Sequence, residues 1–409
     1  MVKNPVVIVG AGPVGLTAAE ILSQQSIPVL VIEKNDSPNK EWRASTFHPG
    51  TMELLEPTGL ADELLKRGLK APIIQYRDRQ TGLYAEFDAT LLKDETKYPF
   101  RLQCPQSTYT QVVYERLQER PGATIIFNSE VIGFTQDKDG VNIKILTPEG
   151  EQEMQASFLL GADGARSSIR KLLGLTFEGY TLEERFLLSG TPVSFEKYLP
   201  DLAYVNYISD PDEFLFILRV PEAWRLLYPI PPSVSDEEAL SDERIQLQFK
   251  KALKTEDTFP IVERMIYRVH QRVAEKFYEG RVVLMGDAAH INSPLGGLGL
   301  NSGIHDAVDL SRRLVRILSS ENEEQLEEEL QIYNKVRRQV ALDYVKEITE
   351  KNTSLMKEKD PEYRLKMQKQ MADTAANPES AKKWLLRASL ISAVREQGIG
   401  EPPKATQNS

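Results

Sequence analysis

A strand, a glycine loop and a helix follow one another at the start of this chain, and that order restricts its fold more than any other feature. Residues 6–9, Val-Val-Ile-Val, are an unbroken β-branched run of the kind found in strands buried on both faces. They lead into Gly10-Ala-Gly-Pro-Val-Gly15, and residues 16–24 then read as a helix. Gly10 permits the tight turn, Gly12 lets a pyrophosphate reach the backbone, and Gly15 allows close packing of helix on strand. Pro13 and Val14 open the helix, whose N-terminus offers free N–H groups and the positive end of its dipole to phosphate. A second buried strand, residues 28–32, ends at Glu33-Lys34. The Glu33 carboxylate is placed to accept a hydrogen bond from a ribose hydroxyl, and it repels a 2′-phosphate. The unit predicts a βαβ dinucleotide fold and leaves the choice between NAD and FAD open.

Local patterns organise the rest of the chain. Residues 40–70 read as polar and helical, and 72–90 alternate as a hairpin turning at Arg79-Gln-Thr-Gly82. A helix is predicted over 108–119, strands over 123–134, 141–147 and 158–160, mostly sheet over 186–230, and a helix over 236–253. Residues 281–285 form another strand, and helical periodicity dominates from 303 to about 395, with 321–338 a charged, solvated face. Residues 398–409, with Pro402-Pro403, read as a frayed tail.

With 409 residues the chain suits two domains or one large interleaved unit. Its net charge of −10 argues against nucleic acid as a main partner. A lone cysteine, Cys104, excludes an intrachain disulfide and dithiol-reductase chemistry, and agrees with a reducing, cytoplasmic setting. His48, His270, His290 and His305 show no HExxH spacing, and no metal site is expected. No apolar stretch approaches the ~20 residues needed to span a bilayer.

Two further segments carry a resemblance. Gly161-Ala-Asp-Gly-Ala-Arg-Ser-Ser-Ile-Arg170 resembles the DG motif of the class A flavoprotein monooxygenases, the para-hydroxybenzoate hydroxylase type. Arg281-Val-Val-Leu-Met-Gly286-Asp-Ala-Ala-His290 is similar to their GD motif, and Pro294-Leu-Gly-Gly-Leu-Gly-Leu-Asn301-Ser-Gly-Ile-His-Asp-Ala307 continues it. Shorter matches place Arg43 near the pyrophosphate and Gln106 near the ribityl chain. All motifs stand in family order, so the resemblance spans roughly residues 1–320.

It implies non-covalent FAD held by Gly10, Gly12, Pro13, Val14, Gly15, Glu33, Lys34, Arg43, Gln106, Asp163, Arg166, Gly286, Asp287, Pro294, Gly299, Leu300 and Asn301. Asp163 and Arg166 would serve both FAD and the pyridine nucleotide. Asp287 would bond the ribityl chain, or cap a helix beginning at Ala288. A helix starting near Asn301 would stabilise negative charge on the reduced ring. The chain departs from the family where Leu298 replaces a frequent Gln, Leu300 a frequent Met, and Thr110 a frequent Glu.

The implied architecture is α/β. A Rossmann-like FAD-binding domain (1–71, 101–177 and 276–320) interleaves with a sheet-rich substrate domain (72–100 and 178–275). Helices over 321–397 should cover the FAD domain with no thioredoxin-like addition, ahead of the 398–409 tail. No second glycine loop follows the first, so NADH or NADPH would bind transiently, as in the family. There, reduced flavin and O2 form a C4a-hydroperoxide that hydroxylates a phenolic or other aromatic, polyketide-like molecule. The alternatives are an FAD-dependent reductase or dehydrogenase of the same fold without oxygen insertion, and a non-enzymatic flavin protein. Substrate contacts are sought among Tyr204, Tyr207, Phe214, Phe216, Trp224 and Tyr228, with Arg219 and Arg225 facing a carboxylate or phenolate. Pro294 and His48 are further candidates beside the flavin, and His290 suits a structural role as well as a catalytic one. No residue is assigned as catalytic. A homodimer is one expected assembly.

Overall fold

Each short strand of the N-terminal unit is apolar on both faces, so it is stable only with neighbours and covering helices around it. The computed structural model, which describes residues 4–399 except 295 and 321, shows that arrangement. Val6–Val9 pairs in parallel with Val29–Ile32 on one side and Phe158–Gly161 on the other. Ala123–Ile126 extends the sheet past Val29–Ile32, Val282–Leu284 joins Phe158–Gly161, and Tyr278–Glu279 closes that edge antiparallel. The first strand is therefore interior, and the glycine loop opens at the carboxyl edge of the sheet, where such sheets bind ligands. Helix Pro13–Gln24 packs on helix Gly299–Ser320.

A second, eight-stranded sheet includes Ile73–Asp78, Gly82–Asp88, Phe177–Thr191, Val205–Ser209, Leu215–Arg219, Trp224–Ile230 and Glu263–Ala274. The predicted hairpin turns where the alternation places it, and Asp78 Oδ1 accepts hydrogen bonds from the Gln80 and Thr81 amides. Both faces of this sheet are buried. Leu187, Trp224, Leu226 and Tyr228 pack under helix Asp242–Leu253. Tyr76, Phe87, Tyr207, Phe214 and Phe216 face the C-terminal helices, where Trp384 stacks on Phe87 with ring centroids 3.9 Å apart.

Several boundaries differ from the sequence reading. The run 123–134 is two strands. Asn128, at φ 51°, turns the chain between the parallel sheet and Glu130–Gln136, which starts a three-stranded meander with Val141–Thr147 and Gly150–Ala156. The run 236–253 breaks where the Ser241 hydroxyl accepts from the Arg244 amide and caps a new helix. Residues 40–70 are only partly helical: Thr46–Phe47 pairs with Arg101–Gln103, ahead of helices Pro49–Leu55 and Leu60–Leu65. No α-helix begins at Ala288. Gly286–Ala288 makes one 3₁₀ turn, and His290–Ile291 returns as an edge strand on Glu263–Ala274.

Helix Glu323–Gln339 lies on Gly299–Ser320, as a cover for the dinucleotide side should. Beyond a π-helical stretch, Val340–Val345, such a cover is found only at the end, where helix Ile391–Gln397 meets Pro49–Leu55. Lys346–Lys357, Pro361–Ala376 and Pro378–Ala388 pack on the eight-stranded sheet instead. Their apolar residues Leu355, Met356, Met367, Met371 and Leu385 match its aromatic face. Of the expected tail, residues 400–409 lie outside the described residues. No helix among the described residues is long and apolar enough to cross a membrane.

Candidate active site

Two glycines of the first loop are closed to side chains and one is open. A Cβ on Gly10, whose φ is 105°, would stand 2.4 Å from the Ala162 carbonyl oxygen, and one on Gly15 would stand 2.1 Å from the Gly10 carbonyl oxygen. A Cβ on Gly12 would meet nothing within 4 Å. Open space in front of Gly12, at the N-terminus of helix Pro13–Gln24, is what a pyrophosphate requires. Glu33 is pinned at the rim: its Oε2 accepts from the Ala11 amide at 2.8 Å and its Oε1 from the Asn35 amide at 3.0 Å. Lys34 beside it is exposed. Val14 is a wedge between Gly286 and Gly303, where an added Cβ would meet it at 3.0 and 2.6 Å.

The middle motif supplies an unfilled acceptor. Asp163 Oδ2 accepts from the Ser168 and Ile169 amides at 2.7 and 3.2 Å, while its buried Oδ1 has no partner. A buried polar atom left unpaired costs about 1–3 kcal/mol, and a ligand hydroxyl would complete it. Arg166 next to it is exposed. Arg170, which sequence reasoning left without a role, donates to the carbonyls of Ala288 at 2.8 Å and Ala165 at 2.9 Å and lies over the Phe177 ring. It ties the middle motif to the third one. Asp287 remains solvent-accessible at that third motif, yet protein crowds it. Burial pushes its carboxyl up, with His290 and Arg43 pulling it back, so Arg43 lies within electrostatic reach of the groove. Gln106 opens helix Gln106–Gln118, and its amide donates to the Ala44 carbonyl at 2.8 Å.

The glycine-rich loop is braced from one side. Gly297 donates to the Pro294 carbonyl at 3.0 Å, and Gly296 and Gly297 take positive φ of 124° and 66°. The helix beyond starts at Gly299, slightly ahead of its predicted start. Asn301 Oδ1 accepts from the His48 amide and the Thr51 hydroxyl at 2.9 and 2.7 Å, and its Nδ2 donates to the Thr46 and Gly297 carbonyls at 2.8 and 2.6 Å. The Asn301 side chain is thus committed to the protein, and Leu300 is buried in the core. His48 Nε2 lies 2.9 Å from the Gly296 carbonyl oxygen. Burial, and then nearby Arg101, hold His48 well below the usual histidine range, so the ring is neutral and Nε2–H donates. His290 also proves structural, with Nε2 2.7 Å from Asp306 Oδ2 and its ring stacked near Phe277. Asp306 takes the Gly286 amide at 2.9 Å and Arg337 Nε at 2.6 Å as well.

The expected substrate residues divide. Arg225 is buried and held by Glu263 at 2.8 and 2.6 Å and by the Arg43 carbonyl at 3.1 Å, so it has no fork left for a ligand. Arg219 bonds the Val220 carbonyl and leans toward the Trp224 ring. Tyr228 and Trp224 lie on the sheet face covered by Asp242–Leu253. Alternation along a strand sends neighbouring side chains to opposite faces, and periodicity cannot rank two buried faces. Tyr207, Phe214 and Phe216 lie on the other face. On that side, a cavity of about 70 Å³ adjoins the glycine-rich loop, lined by Tyr76, Arg101, Gly296, Leu298, Ile348 and Trp384 among others. Sequence reasoning missed Tyr76, Arg101, Ile348 and Trp384, because the wall is assembled from segments far apart in the chain and no local motif marks it. Cys104 is buried, and burial pushes its thiol up to about 12.

Residues 3–348 match the family described as FAD binding domain. A para-nitrophenol 4-monooxygenase from Pseudomonas sp. (strain WBC-3) is 35% identical over 366 residues, covering 88% of this chain and 89% of that protein. A 6-hydroxy-3-succinoylpyridine 3-monooxygenase from Pseudomonas putida (strain DSM 28022 / S16) is 28% identical over 348 residues, or 84% of this chain and 86% of that one. The crystal structure of a p-nitrophenol 4-monooxygenase from Pseudomonas putida DLL-E4 superposes with a TM-score of 0.88 at 31% identity, over 94% of this chain and 98% of that chain. The likeness covers both sheets and the C-terminal helices as well as the dinucleotide cradle. With a cradle that fits FAD and relatives of this kind along almost its whole length, the chain belongs to the class A FAD-dependent aromatic monooxygenases and is an oxidoreductase.

Proposed function

We propose that this enzyme hydroxylates a single-ring phenolic compound, with NADH or NADPH and O2 as co-substrates. The cavity beside the glycine-rich loop carries this reading. Roughly 10–15 Å³ of such space admits one water, so about 70 Å³ holds about five waters. Its aromatic wall, with Tyr76 stacked on Tyr207 at 4.9 Å, suits a flat ring. The relatives named for a nitrophenol and a hydroxypyridine agree with a monocyclic substrate.

In this reading Gly12 and the following helix N-terminus hold the pyrophosphate, Glu33 the ribose, and Asp163 and Asp287 the hydroxyls of the FAD chain, with Arg43, Gln106 and Arg166 at the groove's edge. Bound FAD supplies hydride acceptance and oxygen activation, which no side chain offers. The protein does the rest. The N-terminus of Gly299–Ser320 faces negative charge developing at the ring system, and Asn301 keeps the loop before it in shape. Tyr76, Leu298 and Trp384 keep water from the reacting ring. One oxygen atom of O2 enters the substrate and the other leaves as water, with NAD(P)H supplying two electrons. Strand membership supports the division into an FAD domain (1–71, 101–177 and 276–320) and a substrate domain (72–100 and 178–275), with His290–Ile291 crossing to the latter's sheet. A reducing, cytoplasmic setting fits the single buried thiol.

Purified enzyme mixed with NADH or NADPH in air should oxidise the nucleotide faster when a monocyclic phenol is present, and the product should gain one oxygen atom by mass. Flavin reduction with no oxygen gained, for every phenol supporting it, would move the assignment to a reductase. FAD should also be non-covalent: acid precipitation should release all flavin from wild type, and Cys104→Ala should retain it before precipitation just as wild type does. Flavin remaining on the pellet would contradict this.

A further inference from the structure

The geometry points to Arg101 as the anchor for a phenolate oxygen in the cavity, and so to an enzyme that selects the ionised form of its aromatic ligand. This rests on the reading of that cavity as the substrate site. Among the described residues, six arginines are buried to a relative exposure of 8% or less: Arg77, Arg101, Arg170, Arg225, Arg313 and Arg337. An arginine stays charged when buried, so each needs compensating acceptors. Five have them. Arg77 pairs with Asp201 at 2.6 Å, Arg225 with Glu263 at 2.6 Å, Arg313 with Glu329 at 2.6 Å and Arg337 with Asp306 at 2.6 Å. Arg170 donates to two backbone carbonyls.

Arg101 is the exception. Among the described residues its one hydrogen-bond partner is the Tyr207 hydroxyl, at 3.2 Å, and no carboxylate lies within ion-pair distance. A single hydroxyl acceptor is no counter-ion and leaves the positive charge unmatched. Arg101 lines this cavity and a smaller one beside Pro49, and none of its remaining donors is a buried atom without a partner.

The surroundings favour an anion further. Of the charged residues that line the cavity besides Arg101, Glu347 and Arg387 form an ion pair at 2.6 Å, and Lys351 adds another positive charge. Tyr76 and Trp384 line the same cavity, edge to face with ring centroids 5.9 Å apart, and the guanidinium lies 6.0 Å from the Tyr207 ring centroid. A ring seated against Tyr76 and Trp384 brings an oxygen substituent to the fork, where a charge-assisted hydrogen bond replaces water. An aromatic slot with one uncompensated guanidinium is selective because a neutral ligand leaves the buried charge unpaired.

The test is calorimetric titration of the FAD-loaded enzyme, which reads binding without turnover. At mildly alkaline pH, 4-nitrophenol is ionised and its methyl ether, 4-nitroanisole, is neutral. Wild type should bind the phenolate about tenfold or more tightly than the ether, the worth of a hydrogen bond to a charged group. Arg101→Met should abolish that preference while still binding the ether, and Arg101→Lys should restore part of it. Three results would overturn the proposal: wild type binding both alike, wild type not binding the phenolate, or an FAD-loaded Arg101→Met keeping the phenolate preference. The wild-type comparison stands even if the Met variant fails to fold. A monooxygenase lacking this anchor would still insert oxygen without anion preference. An enzyme with the anchor but another chemistry would bind phenolate and insert none.

Discussion

Replacing Gly12 by valine should yield a folded protein that no longer binds FAD. Gly12 stands at φ −79° and ψ 177°, a conformation valine adopts readily, and its Cβ direction is empty to 4 Å. The new side chain therefore strains nothing in the free protein and fills only the space a pyrophosphate would occupy. FAD affinity should fall by about 100-fold or more, a loss of roughly 3 kcal/mol. Flavin absorbance after desalting and reconstitution measures this, and circular dichroism should show an apoprotein melting like wild-type apoprotein. Gly15→Ala is the contrast, because its Cβ collides with the Gly10 carbonyl and stability itself should drop. Stoichiometric flavin in Gly12→Val would remove the pyrophosphate from this loop.

The largest loss of stability is expected from Asp306→Ala. Asp306 is fully buried and accepts from Gly286, His290 and Arg337, itself fully buried. Its removal strands Arg337 as an uncompensated internal charge and frees the turn that carries Asp287. Breaking such a buried pair costs about 3–5 kcal/mol, readable as a lower urea midpoint. Burial opposes the Asp306 carboxylate, but His290 and Arg337 overcome it and hold the carboxyl at about 2, below its ordinary 3.8. A depressed carboxyl stabilises fully above its unfolded value and loses that contribution as pH falls through its folded value. Wild type should weaken as pH drops from about 4 toward 2, and Asp306→Asn should show a shallower slope across that window. Equal slopes would place the acid sensitivity elsewhere.

Legibility of the sequence followed the range of the interaction. The cradle was readable because its requirements are local: a two-faced strand, glycines where backbone must approach backbone or ligand, and an acid ending the next strand. The motifs around Asp163 and Asp287 were readable as contiguous stretches that resemble a known family. The commitment of Arg225 was not, since Glu263 sits on another strand and only the sheet register brings the two together. Tyr228 and Tyr207 look alike in sequence and face opposite sides of one sheet. Arg101 has no local mark at all. What distinguishes it is an acceptor it lacks, which only the full set of contacts reveals. The helices beyond residue 345 were recognised as helices, but not for the surface they cover, because amphipathic spacing does not name its partner.

The docking of those late helices has a consequence for how such enzymes diversify. Every residue of the dinucleotide cradle precedes residue 308, whereas Ile348, Lys351, Trp384 and Arg387 of the cavity's outer wall come from the last quarter of the chain. Under the proposed function, part of the substrate wall can therefore drift, or be exchanged by splicing in a related C-terminal segment, while the flavin machinery is inherited unchanged. A chimera joined near the π-helical stretch Val340–Val345 is the natural place to recombine the two.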